Sequence, residues 1–541
     1  MSKNLAISFI LFFLVQYASA QPVAAVNIEL HSDQRVYVAG EMVWLDGKLE
    51  GAANSKFIDV HLIDRTGLEK GSVTLLNQDG RFYGYIEVPK EIRSDFYFLD
   101  CSIKGISTKS LVLPIIVIHP SYPPGTCELK GPQPPSIKNS GSSSISIVGN
   151  QSYPIRGEVK FDVSGLSDLK NISVNVVRDD MLSAYADSVI SPYTIFTSHA
   201  AKGDVESEGH QVIARVLDIE RGLPMKGIPV YASIMGDQAN VSYGLSDAQG
   251  EIKFLFAPVL NETRIVFSVP LKDSKKVKVE MLDNNVIHEP ISFPCLVLKE
   301  AMRNSIEERL LNVNVMRQYG LSNIGKHVGI RFDTTDFYGK PDARYILDNY
   351  VRFPDMKEIL FEFVPEVRLR KLSNDSNMLV EVLNDPYKRY FTESAMVMLD
   401  GIPVQNVNEL LDFDPLKLKS IDVMSRMYYL GDIHFNGILN YKSYTNDLAG
   451  FTLTPAEVIY PFKGAQGLPE PIFFKHKALQ KSGLPDFRNL LFREVDFKKS
   501  GNIVSPLSFS ASDTKGDFKI IIQGTNKTGS WTSGTATFSV Q

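Results

Sequence analysis

Short apolar or alternating runs, each closed by Gly, Pro, Asn or Asp, recur along most of the chain. A period of two with turn residues between runs predicts β-strands. The first runs are Asn27 to Leu30, Val36 to Val38, Met42 to Leu45, Ile58 to Ile63, Phe82 to Val88 and Leu111 to Ile118. They predict one β-sandwich within residues 21–119. Residues 120–144 are rich in Pro, Gly and Ser and read as a linker. Beyond it Ile145 to Val148, Val159 to Val163 and Ile172 to Val177 predict a second sandwich over 145–208, followed within it by a polar or helical stretch at Asp179 to Ala201. Val212 to Val216, the turn at Gly222-Leu223-Pro224 and the strand ending at Phe254 predict a third over 209–290.

The period changes after residue 299. Ile306, Leu310 and Val313 recur at helical spacing before Gly320 and predict a helix within a connector at 299–341. Met356, Ile359, Leu360 and Phe363 share one helical face. Ala395 to Leu399 is short enough for a buried strand, and Asp400-Gly401 supplies a tight turn. Asn406 caps a short helix carrying Leu410 and Leu411, and Pro415 limits it. Leu418, Ile421 and Val423 fit a second strand or the end of a helix leading into one, and Gly431 and Gly437 punctuate a last strand, Ile438 to Tyr441. Together these predict a small α/β domain over 342–451, a connector over 452–484 and a C-terminal sandwich over 485–541. The fold class expected is mainly β and multidomain: several Ig-like β-sandwiches plus one small α/β domain.

One turn recurs: Asp64-Arg65-Thr66-Gly67, Asp247-Ala248-Gln249-Gly250 and Asp513-Thr514-Lys515-Gly516, with Asn77-Gln78-Asp79-Gly80 as a variant. Asp bonds its own turn amides while Gly takes the left-handed position that opens the next strand. A calcium loop needs more converging oxygens than these turns carry.

Three stretches resemble known families. Ser32-Asp33-Gln34-Arg35-Val36-Tyr37-Val38-Ala39-Gly40-Glu41-Met42-Val43-Trp44 is similar to the signature of macroglobulin-type domains. The layout from Val212 to Phe254 resembles carboxypeptidase-regulatory-like and macroglobulin-like sandwiches, a scaffold that brings no active site. Leu399-Asp400-Gly401-Ile402-Pro403, Ile421-Asp422-Val423 and Leu430-Gly431 with Gly437-Ile438 resemble, in order, the plug domain of TonB-dependent outer-membrane receptors. Such a plug precedes a long barrel, and the residues after Phe451 are too few for one. The combination looks like a group of exported Bacteroidetes proteins in which macroglobulin-type domains precede a plug-like domain without its barrel.

Composition narrows the rest. A chain of 541 residues is too long for one ordinary core, and 44% hydrophobic with 22% charged residues is ordinary for folded protein. A net charge of -5 offers no footprint for nucleic acid. Lys3, the apolar run Leu5 to Val15 and Ala18-Ser19-Ala20 read as a signal peptide over 1–20. The mature chain is then expected in the periplasm, at the outer membrane or on the cell surface, with no membrane span of its own. Cys101, Cys127 and Cys295 leave two readings open: a Cys101–Cys127 pair or three free thiols.

The motifs of zincins, serine hydrolases and P-loops are absent, as is the Cys-Gly-Glu-Gln thioester that complement-like traps need. The nine histidines, scattered along the chain, never fall at metal-ligand spacing, so neither metal nor other cofactor is expected. The leading reading is a non-enzymatic interaction protein whose plug-like domain docks on an outer-membrane β-barrel, transport or secretion complex. Partner contact is expected at Asp400, Gly401, Ile402 and Pro403 on one hairpin and at Tyr428, Tyr429 and Gly431 on a second turn, fold maintenance being the alternative for the two glycines. A carbohydrate-binding or adhesion protein, and a hydrolase with carboxylates drawn from different domains, are the competing readings.

Overall fold

The computed structural model describes residues 26–51, 54–127, 145–191, 195–201, 203–270, 276–282, 286–319, 335–371, 378–454, 457–467, 484–495, 506–526 and 531–541. The signal-peptide reading and most of the Pro/Gly/Ser linker lie outside them. The fold is mainly β, several sheets in separate layers with one α/β unit. In the first sandwich Phe57–Ile63, Asp95–Ser102 and Thr108–Ile118 lie side by side, with Glu69–Leu76 at one end of the sheet and Arg81–Glu87 at the other. Ile28, Leu30, Tyr37, Leu45, Val60 and Leu99 fill its core. Its macroglobulin-like phrase is a polar turn. The Tyr37 hydroxyl donates to Asp33 at 2.6 Å, the Trp44 amide donates to the same carboxylate at 2.9 Å, and Glu41 accepts the Val38 amide at 2.5 Å.

The predicted second and C-terminal sandwiches are one domain. Lys170–Arg178 lies between Leu490–Val495 and Gly516–Thr525 in one sheet, and Glu158–Ser164 lies between Ser146–Gly149 and Leu507–Ser510 in the other. Each half carries an apolar face that its own few strands cannot cover. Val174, Val176 and Phe161 from one half therefore share a core with Phe518, Ile520 and Phe538 from the other. Likewise Glu457–Lys463, expected in a connector, is the edge strand beside Glu262–Ser268 in the third sandwich. The 452–484 connector reading is corrected there, residues 468–483 lying outside the description.

The stretch read as polar or helical holds helix α1 (Met181–Ile190), whose N-cap Asp180 accepts the Ser183 amide at 2.9 Å, and also a strand, Ile195–His199, paired with Thr108–Ile118. Helix α2 (Arg303–Gln318) occupies the predicted connector, but it buries Arg309, Asn312 and Met316, while Ile306, Leu310 and Val313 are only half-buried. The reason is polar. Arg309 donates to Asp180 at 2.6 Å, to Ser183 at 2.8 Å and to the Val36 carbonyl at 3.3 Å, joining α2 to α1 and the first sandwich. Arg493 joins the first two sandwiches through Asp46 and Asn175, at 2.6 and 2.7 Å.

The α/β unit is a sheet in the order Ala343–Ile346, Leu418–Leu430, Ile433–Ser443, Met396–Leu399, Ile402–Pro403. Helices α3 (Met356–Phe363) and α4 (Val407–Leu411) pack Met356, Ile359, Leu360, Leu410 and Leu411 against Val397, Leu399, Ile421, Val423 and Tyr441. Asp400 and Gly401 both have positive φ, 49° and 78°, as a primed two-residue turn requires.

Both cysteine readings are corrected: Cys127 pairs with Cys295, Cα atoms 5.8 Å apart, and Cys101 is free and buried. Cys101 lies in a central strand covered on both faces, so no second thiol can reach it. Cys127 leaves the first sandwich where the 286–298 segment returns over it.

Candidate functional site

The hairpin expected to meet a partner is internal. Asp400 is 1% exposed, and its carboxylate accepts the Ser443 amide at 2.6 Å, the Ser443 hydroxyl at 2.7 Å and the Leu448 amide at 2.8 Å. Ile402 and Pro403 are buried. A Cβ on Gly401 would stand 2.9 Å from the Ala239 Cα, so this turn is pressed against the third sandwich. Its residues close a domain joint, and the docking role read for them is corrected accordingly. The second turn differs. Tyr428 is half-buried and donates to the Phe337 carbonyl at 2.5 Å, whereas Tyr429 is 67% exposed and Gly431 has open space around it.

A second constellation was invisible in the sequence. His61, His199 and His288, spread over more than two hundred positions, converge with Asp100 and Glu69 on the first sandwich. His61 and Asp100 are cross-strand partners on Phe57–Ile63 and Asp95–Ser102. His199 arrives on the strand Ile195–His199. His288 is held by the first Asp-x-x-Gly turn: the Ile291 amide donates to the Arg65 carbonyl at 2.9 Å, and a Cβ on Gly67 would stand 2.3 Å from the His288 carbonyl oxygen. Asp64 shapes that turn by accepting the Thr66 amide at 2.8 Å. The disulfide at Cys295 anchors the same segment.

Asp100 is wholly buried and fully engaged. It takes His199 Nε2 at 2.8 Å, His288 Nδ1 at 3.1 Å, the Thr197 hydroxyl at 2.6 Å and the Cys101 amide at 2.8 Å. Burial alone would raise its pKa, but the hydrogen bonds from His199, His288 and Thr197 outweigh it and hold the carboxyl well below the ordinary range. His61 sets Nδ1 2.8 Å from Glu69 Oε2 and Nε2 3.0 Å from Ser102 Oγ. Burial lowers its pKa, yet the Glu69 hydrogen bond prevails and the net shift is upward. His288 Nε2, also buried, has no partner among the described residues.

His61 and Glu69 face a cleft of about 730 Å³ between the first and third sandwiches, also lined by Asp59, Lys104, Glu262 and Lys463. Gln466 closes its wall like a strand edge: its side chain accepts the Tyr85 amide at 2.8 Å and donates to the Tyr85 carbonyl at 3.0 Å. The arrangement offers imidazole nitrogens and one carboxylate at the end of a polar, solvent-filled recess. The sign in the sequence was local, two polar residues, Asp59 and His61, inside the mostly apolar strand Phe57–Ile63.

No family model matches the chain, and no curated protein matches it. Among solved structures it is similar to trypsin-activated alpha-2-macroglobulin from Escherichia coli, at 7% identity and a TM-score of 0.22 over 96% of this chain and 42% of that one. Salmonella alpha-2-macroglobulin reacted with methylamine is similar at 8% identity and a TM-score of 0.20, over 95% and 39%. A tetra-tandem repeat from the extending region of a large adhesion protein gives 7% and 0.13, over 96% and 99%. The chain thus spans less than half the length of the macroglobulins. At such scores the likeness carries no functional argument, and the sandwich architecture rests on the sheets themselves.

Proposed function

We propose that the chain is a non-enzymatic interaction protein of the bacterial envelope, in which β-sandwiches hold a plug-like α/β domain for docking on an outer-membrane β-barrel, transport or secretion complex. The observation that carries this reading is the outer end of the α/β sheet. Among the described residues Ala343–Ile346 pairs on one side only, with Leu418–Leu430, and beside that open edge Ile346, Tyr350 and Val351 are exposed. An unpaired strand edge flanked by apolar side chains is the geometry that accepts a partner's strand. Tyr429, at the projecting end of the Leu418–Leu430 strand, adds an aromatic contact of the kind enriched at interfaces.

The signal-peptide reading and the Cys127–Cys295 disulfide both suit an oxidising, exported setting, and the order of domains suits the barrel-less Bacteroidetes group. No helix among the described residues is long and apolar enough to cross a membrane. Affinity purification of the tagged full chain from detergent-extracted native membranes tests the proposal. Recovery of a β-barrel membrane protein, lost on the double substitution Val351→Ser and Tyr429→Ser, is the expected outcome. A clean monomer at every salt and detergent condition overturns it.

A further inference from the structure

From the geometry of His61, Glu69 and His288 we infer that the first sandwich holds a divalent transition-metal site of the zinc type at the end of its cleft, independent of the docking role. One donor atom from each of the three residues lies within 4.8 Å of the other two. The second nitrogen of each histidine is already committed. His288 Nδ1 faces the Asp100 carboxylate at 3.1 Å, which can only accept, so that nitrogen carries the proton and Nε2 presents a lone pair. That Nε2 is buried and, among the described residues, without a partner, a state that is expensive unless something electrophilic fills it.

His61 can present its Nδ1 toward the same point as Glu69. Without an ion its Nδ1 carries the proton and donates to Glu69 Oε2 at 2.8 Å, while Nε2 accepts the Ser102 hydroxyl at 3.0 Å; the same hydroxyl can instead accept from Nε2–H, which frees Nδ1 for an ion. A metal ion bound by His61 Nδ1, His288 Nε2 and Glu69 would displace the proton that His61 shares with Glu69, and two nitrogens with one carboxylate is a ligand set that zinc accepts with a fourth position open to water. Asp100 then plays the outer-shell part, a carboxylate hydrogen-bonded to the far nitrogen of a ligating histidine, which fixes the tautomer and ring orientation. His199, whose Nε2 faces Asp100 at 2.8 Å, stands outside this ligand set. The cleft gives a hydrated ion a route in, since Glu69 is exposed on it.

An ion here would clamp the sheet of the first sandwich to the returning segment that carries His288, the same segment the disulfide secures. Full-length protein, stripped with chelator and titrated with zinc chloride by calorimetry, tests the inference. One equivalent bound, with a raised melting temperature, is expected. Cobalt in place of zinc should give visible bands of a nitrogen and oxygen site without thiolate charge transfer.

Glu69→Gln changes an exposed side chain, so the fold should persist by circular dichroism while affinity falls at least about tenfold. His288→Gln should abolish binding, and His434→Gln, far from the cluster on the exposed ribbon, should leave it unchanged. Failure of the wild-type chain to take up zinc, or equal affinity in Glu69→Gln and wild type, overturns the site.

Discussion

Arg309 and Asp180 form a buried ion pair, 2.6 Å apart with side chains 1% and 9% exposed, that ties helix α2 to the first turn of helix α1. Asp180 also caps α1 through the Ser183 amide, so one carboxylate serves a helix end and a tertiary joint. Removing Arg309 leaves the buried Asp180 carboxylate with Arg178, 3.5 Å away, as its remaining cation. Arg309→Met should therefore destabilise the chain by about 3–5 kcal/mol, and adding Asp180→Asn to it should recover part of that loss. Denaturant unfolding of the two variants against wild type measures both.

His210 reports on the joint between the first and third sandwiches. Its ring stacks on Phe57 at 3.9 Å, and Nε2 donates to the Val259 carbonyl at 3.1 Å. Desolvation lowers its pKa from 6.5 to about 4. A histidine depressed in the folded state gives stability that is fully present above the unfolded pKa and is lost as pH falls toward the folded one. Between pH 6.5 and pH 4 this group should contribute a loss on the order of 3 kcal/mol. His210→Gln should flatten that part of the pH profile, read as the denaturation midpoint across the same window.

The cysteines should separate cleanly by reactivity. Cys101 is wholly buried, and desolvation pushes its thiol well above the ordinary range, so the native chain should show no titratable thiol and the denatured, unreduced chain one. Replacing Cys127 and Cys295 by Ser removes a cross-link between positions 168 apart and should cost about 2–4 kcal/mol. Thiol titration and thermal melting check the two halves of this expectation.

The two turn glycines should behave differently. Gly431, at φ 59° with open surroundings, should lose only about 1–2 kcal/mol on substitution by Ala, the strain of the left-handed backbone. Gly401, at φ 78° with the Ala239 backbone 2.9 Å from the new Cβ, should lose a further ~1–3 kcal/mol from overpacking. Protease susceptibility near the joint between the third sandwich and the α/β domain should rise in Gly401→Ala alone.

What the sequence determined by itself was local. Alternating runs placed the strands of the first and third sandwiches, Asp400-Gly401 announced its primed turn, and Asp64 and Asp247 announced theirs, because strand phase and turn chemistry depend on neighbouring residues. Only the tertiary structure decided which strands share a sheet: that Lys170–Arg178 pairs with Gly516–Thr525 across more than three hundred residues, that Glu457–Lys463 completes the third sandwich, and that Asp400 faces inward. It decided the histidine cluster for the same reason. His61, His199 and His288 are brought together by strand pairing, a turn and a disulfide-anchored return, none of which leaves a spacing in the chain to read. Periodicity shows which face of a strand is apolar, whereas the partner of that face is chosen by burial summed over the whole fold.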